Sequence, residues 1–110
     1  IARTLIRQRM DAVIATNTTT TRPGAADRDP KSRESGGLSG APLAALSTVT
    51  ISRLSQTLDG SLPIIGVGGI LSPQDAQEKF HAGASLVQLY TGLIYQGPSV
   101  LRNILEESAP

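Results

Sequence analysis

Three short, mainly apolar runs, each bounded by turn-forming residues, most constrain the fold of this chain. They occupy residues 12–15, 62–67 and 85–90, and segments with helical spacing lie between them. The strands of a parallel sheet are covered by helices on both faces, so they read as continuous apolar runs and do not alternate. The pattern predicts consecutive βα units with right-handed crossovers, in the order α-β-α-β-α-β-α.

The first two helices are predicted from proline, glycine and leucine spacing. Residues 1–9 are expected to form the end of a helix. A second helix is expected to begin near Pro42, because proline suits the first turn, and to stop at Asp59-Gly60. Spacings of three and four predict its buried face, which comprises Leu43, Leu46, Thr50, Leu54 and Leu58.

Local signals mark the last two helices. Ser72 is placed to cap a helix that has Pro73 at its first position and Asp75 where a capping-box acid stands. Gly83 supplies the left-handed residue after that helix. The final helix is expected to open at Gly97-Pro98, with an apolar face made of Leu101, Ile104 and Leu105.

Three strands that are apolar on both faces need neighbouring strands as well as helices. A (β/α)₈ barrel takes about 250 residues, or about 31 for each βα unit. The 110 residues therefore predict about three and a half units, so that 1–110 forms the C-terminal part of a single barrel domain. A doubly wound open sheet is the alternative. The start at Ile1, without a leader, adds to the expectation of a piece of a longer protein.

The composition excludes several classes of function. With no cysteine and one histidine, we expect no disulfide and no thiolate or multi-histidine metal site. The net charge is +1, the basic residues are scattered, and the only aromatics are two Tyr and one Phe, so no nucleic-acid surface is predicted. No apolar run reaches the roughly 18–20 residues that a membrane helix needs.

Polar and glycine-rich clusters follow each predicted strand, where barrel enzymes place their sites. These clusters are Thr16–Thr18, Gly66–Gly69 and Tyr90–Gly92, and Gly36–Gly40 stands late in the long polar loop 16–41. None contains an evident proton-transfer residue, and His81 is expected to be solvated near a helix end. The sequence thus points to binding groups at the carboxyl edge of the sheet.

Each cluster has a functional and a purely structural interpretation. Gly68 and Gly69, with Tyr90 and Thr91, suit a phosphate site, because a backbone without side chains can aim N–H groups at an anion. The alternative is a tight strand-to-helix turn. Ser39 and its glycines could also hold a phosphate, or form an ordinary loop. The 16–18 cluster offers an amide and hydroxyls to a flat polar ligand, or satisfies backbone groups where the strand turns.

Four motifs in order resemble class 2 dihydroorotate dehydrogenase, the quinone-dependent flavoenzyme of pyrimidine synthesis. They are residues 15–19, 35–40, 63–70 and 82–92. The resemblance implies a (β/α)₈ barrel that holds FMN and oxidises dihydroorotate to orotate, with ubiquinone as electron acceptor. It further implies that Asn17 and Thr18 bind orotate. The implied FMN contacts are Thr16, Ser39, Gly40, Gly68, Gly69, Tyr90 and Thr91.

The resemblance also implies parts that these 110 residues lack. The family's catalytic serine, a lysine near the flavin and several asparagines lie in earlier barrel strands, and its membrane- and quinone-binding helices precede them. The isolated chain is therefore expected to be inactive. The implied location is the mitochondrial inner membrane in a eukaryote, or the cytoplasmic membrane in a bacterium. The alternatives are a phosphate-binding barrel enzyme without flavin, and a truncated chain that does not fold alone.

Overall fold

The computed structural model describes residues 1–108, so the last two residues of the predicted 1–110 domain lie outside the described part. The strands are β1 (Val13–Ala15), β2 (Ile64–Val67) and β3 (Leu86–Gln88). The α-helices are α1 (Ala2–Arg7), α2 (Ala44–Leu58), α3 (Pro73–His81), α4 (Thr91–Gln96) and α5 (Ser99–Ser108). Short 3₁₀ helices occupy Gly24–Arg28, Pro30–Arg33 and Ala41–Leu43. The predicted α/β class is confirmed.

The strands form one parallel sheet in chain order, β1-β2-β3. Val13 pairs with Ile64 and Ile65 pairs with Leu86, which fixes the register. Because all three strands run the same way, their carboxyl ends meet at one edge. A barrel adds its strands in this consecutive order, whereas a doubly wound sheet reverses it at a switch point.

Helices cover the sheet through two apolar clusters. One lies between α1, α2 and the strands, and its buried members are Ala2, Ala15, Ile51, Leu58, Ile64 and Ala84. The other lies beneath α3 and α5 and is built from Ile70, Ala76, Val100 and Ile104. In the described residues, no helix is long and apolar enough to cross a membrane.

The predicted buried face of α2 is wrong in part. Leu46 is 43% exposed and Thr50 is exposed, whereas Ser47 and Ile51 are fully buried. The helix packs on β2 at Gly66, where an added Cβ would come within 3.2 Å of Ile51 Cδ1. The sheet surface therefore favours a small residue, Ser47, and a long aliphatic one, Ile51. Leucine spacing along α2 does not predict that these two positions are buried.

The end of the chain also differs from the prediction. α4 begins at Thr91, shortly after β3, where no helix was predicted, and Gly97 at φ +70° separates it from α5. On α5 the buried residues are Val100 and Ile104, while the predicted Leu105 is 71% exposed. The predicted Leu101 is also exposed. The face is set by packing against α3, which lies outside the segment's own pattern.

The predicted start of α3 is confirmed in detail. The Asp75 N–H donates to Ser72 Oγ at 3.2 Å, and Asp75 Oδ2 accepts from the Ser72 hydroxyl at 2.8 Å. The same carboxylate accepts the Leu71 N–H at 3.0 Å. Gly83 follows the helix at φ +113°. These contacts satisfy N–H groups that a helix start leaves without partners.

Candidate functional site

A cleft of about 410 Å³ opens at the carboxyl edge of the sheet. Ligand sites commonly occupy roughly 300–1,000 Å³, so the volume suits a small molecule. Six of the nine predicted site residues line it, namely Thr16, Asn17, Thr18, Ser39, Gly68 and Tyr90. The sequence clusters that follow three different strands thus converge on one cavity.

A narrow recess adjoins the cleft and takes in the other three predicted residues, Gly40, Gly69 and Thr91. Ser39, Gly68 and Tyr90 line both spaces. The recess measures about 20 Å³, close to the minimum of about 10–15 Å³ for one water molecule. An anion would therefore sit at its mouth and direct a single oxygen inward.

Thr16 joins the sheet to the cleft. Its N–H donates to the Val67 carbonyl at 2.9 Å, which carries the β1–β2 ladder one residue beyond β1. Its hydroxyl oxygen is buried and has no hydrogen-bond partner among residues 1–108. Leaving a buried polar group unpaired costs about 1–3 kcal/mol. This hydroxyl therefore fits a ligand that brings a polar atom to the cleft floor.

Asn17 and Thr18 present amide and hydroxyl groups at the exposed side of the cleft. Asn17 Oδ1 accepts the Thr18 N–H at 2.8 Å, so the structural interpretation of this cluster is correct for that oxygen. Within the described chain, Asn17 Nδ2 makes no hydrogen bond. The donor end of the amide stays available to an acceptor on a ligand.

Gly68 and Gly69 form the turn after β2, with φ of +122° and +72°. A Cβ at Gly68 would lie 2.9 Å from Ser47 Cβ, and one at Gly69 would lie 2.5 Å from Ala44 Cα. The glycines thus allow α2 to pack against the turn. Both residues are buried, and in the part of the chain described here neither N–H donates to a carbonyl or side-chain oxygen. Two unpaired buried N–H groups fit an anionic group.

Ser39 and Thr91 join the long loop to the start of α4. Their hydroxyl oxygens lie 2.8 Å apart, across 52 positions of sequence. Gly40 is buried at φ +78°, and a Cβ there would come within 3.3 Å of Thr91 Cγ2. Tyr90 lines both spaces and is 74% exposed. The Ser39–Thr91 hydrogen bond holds together the walls of the recess.

Sequence reasoning missed several residues that line these spaces. Val67 and Gln88 line both the cleft and the recess, and Leu43 lines the cleft. Val67 and Gln88 are the last residues of β2 and β3, so strict use of the strand-end rule would have included them. Leu43 carries no such signal, because it is an apolar residue ahead of a helix.

Lys79 is a further residue that the sequence did not reveal. It is fully buried on α3, and its Nζ donates to the Ala44 carbonyl at 2.9 Å and to Thr48 Oγ1 at 2.6 Å. Burial lowers the pKa of Lys79, and the charges of Glu78 and Asp75 oppose that shift in part. Ala44, whose carbonyl Lys79 holds, lies against Gly69. Lys79 therefore stabilises the glycine turn indirectly, through the start of α2.

The cleft can bind and orient a ligand, but its walls offer little acid–base chemistry. In residues 1–108, neither the cleft nor the recess is lined by a carboxylate, histidine or lysine. The groups present are hydroxyls, an amide and free backbone N–H groups, which suit a flat polar ligand and an anion. Fold and cleft together define a parallel α/β protein with a candidate ligand site at the carboxyl edge of the sheet.

Comparison with known proteins makes this class specific. The chain belongs to the dihydroorotate dehydrogenase family, whose pattern it matches over residues 1–109. It is 58% identical over 109 residues to a dihydroorotate dehydrogenase (quinone) of Thiobacillus denitrificans, covering 99% of this chain and 32% of that protein. A protein of the same name from Nitrosomonas europaea is 57% identical over 92% of this chain and 29% of its own length. The predicted resemblance to class 2 is confirmed.

A solved structure of similar fold is dihydroorotate dehydrogenase from Eimeria tenella, crystallised with ferulenol. It matches with a TM-score of 0.90 and 42% identity, over 97% of this chain and 28% of that one. This likeness and the consecutive strand order confirm the prediction of a partial (β/α)₈ barrel. The chain spans about a third of the length of the curated relatives it matches.

Proposed function

We propose that this chain forms part of the FMN and orotate site of a quinone-dependent dihydroorotate dehydrogenase that serves pyrimidine synthesis. The observation that carries the proposal is the convergence of all nine motif residues on one cleft and its recess. The names of its relatives support dihydroorotate as substrate and quinone as acceptor. Membrane location stays a prediction, which fractionation of cells would test.

The residues at the recess fit the phosphate of FMN. Gly68 and Gly69 offer two buried N–H groups without protein partners, and an N–H pair on a tight turn attracts an anion. Ser39 and Thr91 stand at the same place and can each donate or accept a hydrogen bond. The unpaired Thr16 hydroxyl lies in the adjoining cleft, where the ring system would be held. FMN supplies the redox chemistry when it is bound.

Asn17 and Thr18 are assigned to the substrate. The free Nδ2 of Asn17 can donate to a carbonyl oxygen of the pyrimidine ring, while Oδ1 stays fixed by the Thr18 N–H. Anchoring one end of the amide in this way limits its rotation, which reduces the entropy lost on binding. These side chains orient the substrate and do not take its proton.

The proton acceptor is assigned to a part of the enzyme outside these 110 residues. No carboxylate, histidine or lysine lines the described cleft, and the chain covers only 32% of a full-length relative. We therefore expect the isolated chain not to oxidise dihydroorotate. Measurable oxidation by the 110-residue polypeptide would contradict this assignment.

The test uses the full-length enzyme, here meaning a complete dihydroorotate dehydrogenase whose matching third is this sequence. A visible spectrum is recorded before and after anaerobic addition of dihydroorotate. We expect a flavin band that bleaches. A protein without a flavin band, or one whose band ignores dihydroorotate, would overturn the proposal and favour a phosphate-binding barrel without redox chemistry.

A further inference from the structure

One arginine gathers the long loop between β1 and α2. The Arg22 guanidinium donates to the backbone carbonyls of Thr19, Thr20, Thr21, Ser32, Glu34 and Gly36 at 2.9–3.3 Å. These carbonyls belong to two arms of the loop, residues 19–21 and 32–36. Thr19 and Leu38 join the same arms through a pair of backbone hydrogen bonds of 3.1 and 2.7 Å.

Arginine suits this position better than any other residue. Its planar guanidinium carries five N–H donors in a fixed fork, whereas lysine has three donors on one nitrogen. Hydrogen bonds from a charged donor are roughly twice as strong as neutral ones. Because all of its acceptors are carbonyls of one loop, the side chain acts on the shape of that loop.

The loop shape reaches the candidate substrate site through Gly37. Arg22 Nη2 holds the Gly36 carbonyl at 2.9 Å. The next residue, Gly37, lies so close to Thr18 that a Cβ atom there would overlap the Thr18 hydroxyl. Ser39 follows two residues later and lines both cleft and recess. The segment 32–36 that Arg22 holds thus leads into Gly37, which lies against Thr18, and into Ser39, which lines the cleft.

We propose that Arg22 is a positioning residue, which fixes the loop 16–41 so that Thr18 and Ser39 face the cleft. The guanidinium itself does not line the cleft. The identity of the ligand that these residues receive rests on the proposed function, whereas the role of Arg22 in the loop stands on its hydrogen bonds alone.

Proteolysis of the full-length enzyme tests the loop without any ligand. Lys31 lies exposed in the loop, so endoproteinase Lys-C can report loop opening by cleavage after it. We expect Arg22→Gln to speed this cleavage about tenfold, since local opening exposes the backbone. Arg28→Gln is the matched control, because Arg28 is exposed in the same loop and makes no side-chain hydrogen bond within the described residues. It should stay within about twofold of wild type.

Orotate titration then tests the site, with the flavin spectrum as readout. Arg22→Gln should raise the Kd for orotate about tenfold while flavin content per protein is retained. Unchanged cleavage, or faster cleavage with unchanged orotate affinity, overturns the proposal. If Arg22→Gln does not fold, Arg22→Lys decides by the same two measurements, with a smaller change in each expected. An enzyme without flavin or orotate binding overturns the proposed function, and the cleavage rates still decide the role of Arg22 in the loop.

Discussion

Lys79 reaches across from α3 to α2, where its Nζ donates to the hydroxyl oxygen of Thr48 at 2.6 Å. A second hydrogen bond of 2.9 Å goes to the Ala44 carbonyl, and Thr48 itself donates to that carbonyl at 3.0 Å. The three groups close a small polar network inside an apolar interface. Buried networks of this kind fix one arrangement of their helices, here the start of α2 against the Gly69 turn.

Lys79 makes stability depend on alkaline pH. Burial lowers its pKa in the folded protein below the ordinary value of 10.5. Between the lowered pKa and 10.5 the unfolded chain binds more protons than the folded one, so stability rises with pH in that window. We expect the free energy of unfolding of wild type, relative to Lys79→Met, to increase as pH rises toward 10.5. Urea unfolding of the full-length enzyme over a pH series measures this difference.

Gln56 supplies the control for that series, because it is exposed on α2 and carries no titratable group. The difference between wild type and Gln56→Met should stay flat with pH. A Lys79→Met difference that is equally flat, or that falls with pH, would contradict the pKa shift.

The glycine turn predicts a contrast between alanine substitutions at two glycines of similar positive φ. Gly69 and Gly60 have φ of +72° and +78°, but a Cβ at Gly69 would lie 2.5 Å from Ala44 Cα, whereas Gly60 has open space. An L-residue in this conformation costs about 1–2 kcal/mol at either position. Only Gly69→Ala adds overpacking of about 1–3 kcal/mol. Thermal unfolding should place Gly69→Ala well below Gly60→Ala, and flavin content should fall in Gly69→Ala alone. Equal melting temperatures would mean that α2 moves away freely.

The parts of the fold that sequence reasoning predicted well depend on neighbouring residues. The Ser72–Asp75 cap is made within one turn, so its signal lies within four positions of sequence. The buried face of α2 depends on Gly66 of β2 and on Gly68 just after it, and it was predicted wrongly in part. The hydrogen bonds of Lys79 span 31 and 35 positions of sequence, and the longest hydrogen bond of Arg22 spans 14 positions. No local sequence pattern predicts contacts over such separations.

The candidate site followed from the rule that parallel strands end at one edge. That rule brought Thr16, Gly68 and Tyr90 together before any distance was known, and the cleft contains all three. The rule does not reveal which polar atoms stay free. That the Thr16 hydroxyl is unpaired and that Asn17 Oδ1 accepts the Thr18 N–H follows only from the three-dimensional structure. Their assignment to FMN and orotate stays a prediction.

Asn17 offers a near-isosteric test of substrate binding. Asn17→Asp keeps an oxygen to accept the Thr18 N–H, the 2.8 Å bond of the native residue, but loses the Nδ2 donor and adds a negative charge. Orotate is an anion, so we expect its Kd to rise at least about tenfold, equivalent to about 1.4 kcal/mol. Flavin content should not change. Spectral titration measures both, and Asn103→Asp on exposed α5 is the control. Orotate affinity that is the same in both variants would remove Asn17 from the site.

The Ser39–Thr91 contact predicts coupling between the loop and the start of α4. The hydroxyl oxygens lie 2.8 Å apart and are partly buried, so each single variant, Ser39→Ala or Thr91→Val, loses the same hydrogen bond. A double-mutant cycle of unfolding free energies in the full-length enzyme should give a coupling of about 0.5–1.5 kcal/mol.

The same variants, compared by their affinity for FMN, separate two roles of the pair. FMN is removed from each protein, and the Kd for its rebinding to the apoenzyme is measured. If the hydroxyls only hold the recess walls together, the second substitution adds little once the first is made. If each hydroxyl also meets the phosphate, the two losses of FMN affinity add, because two separate contacts to the ligand are removed. We expect near-additive losses, since Ser39 and Thr91 both line the recess beside the free N–H groups of Gly68 and Gly69. Unchanged FMN affinity in both single variants would remove the pair from the cofactor site and leave it as a contact between the loop and α4.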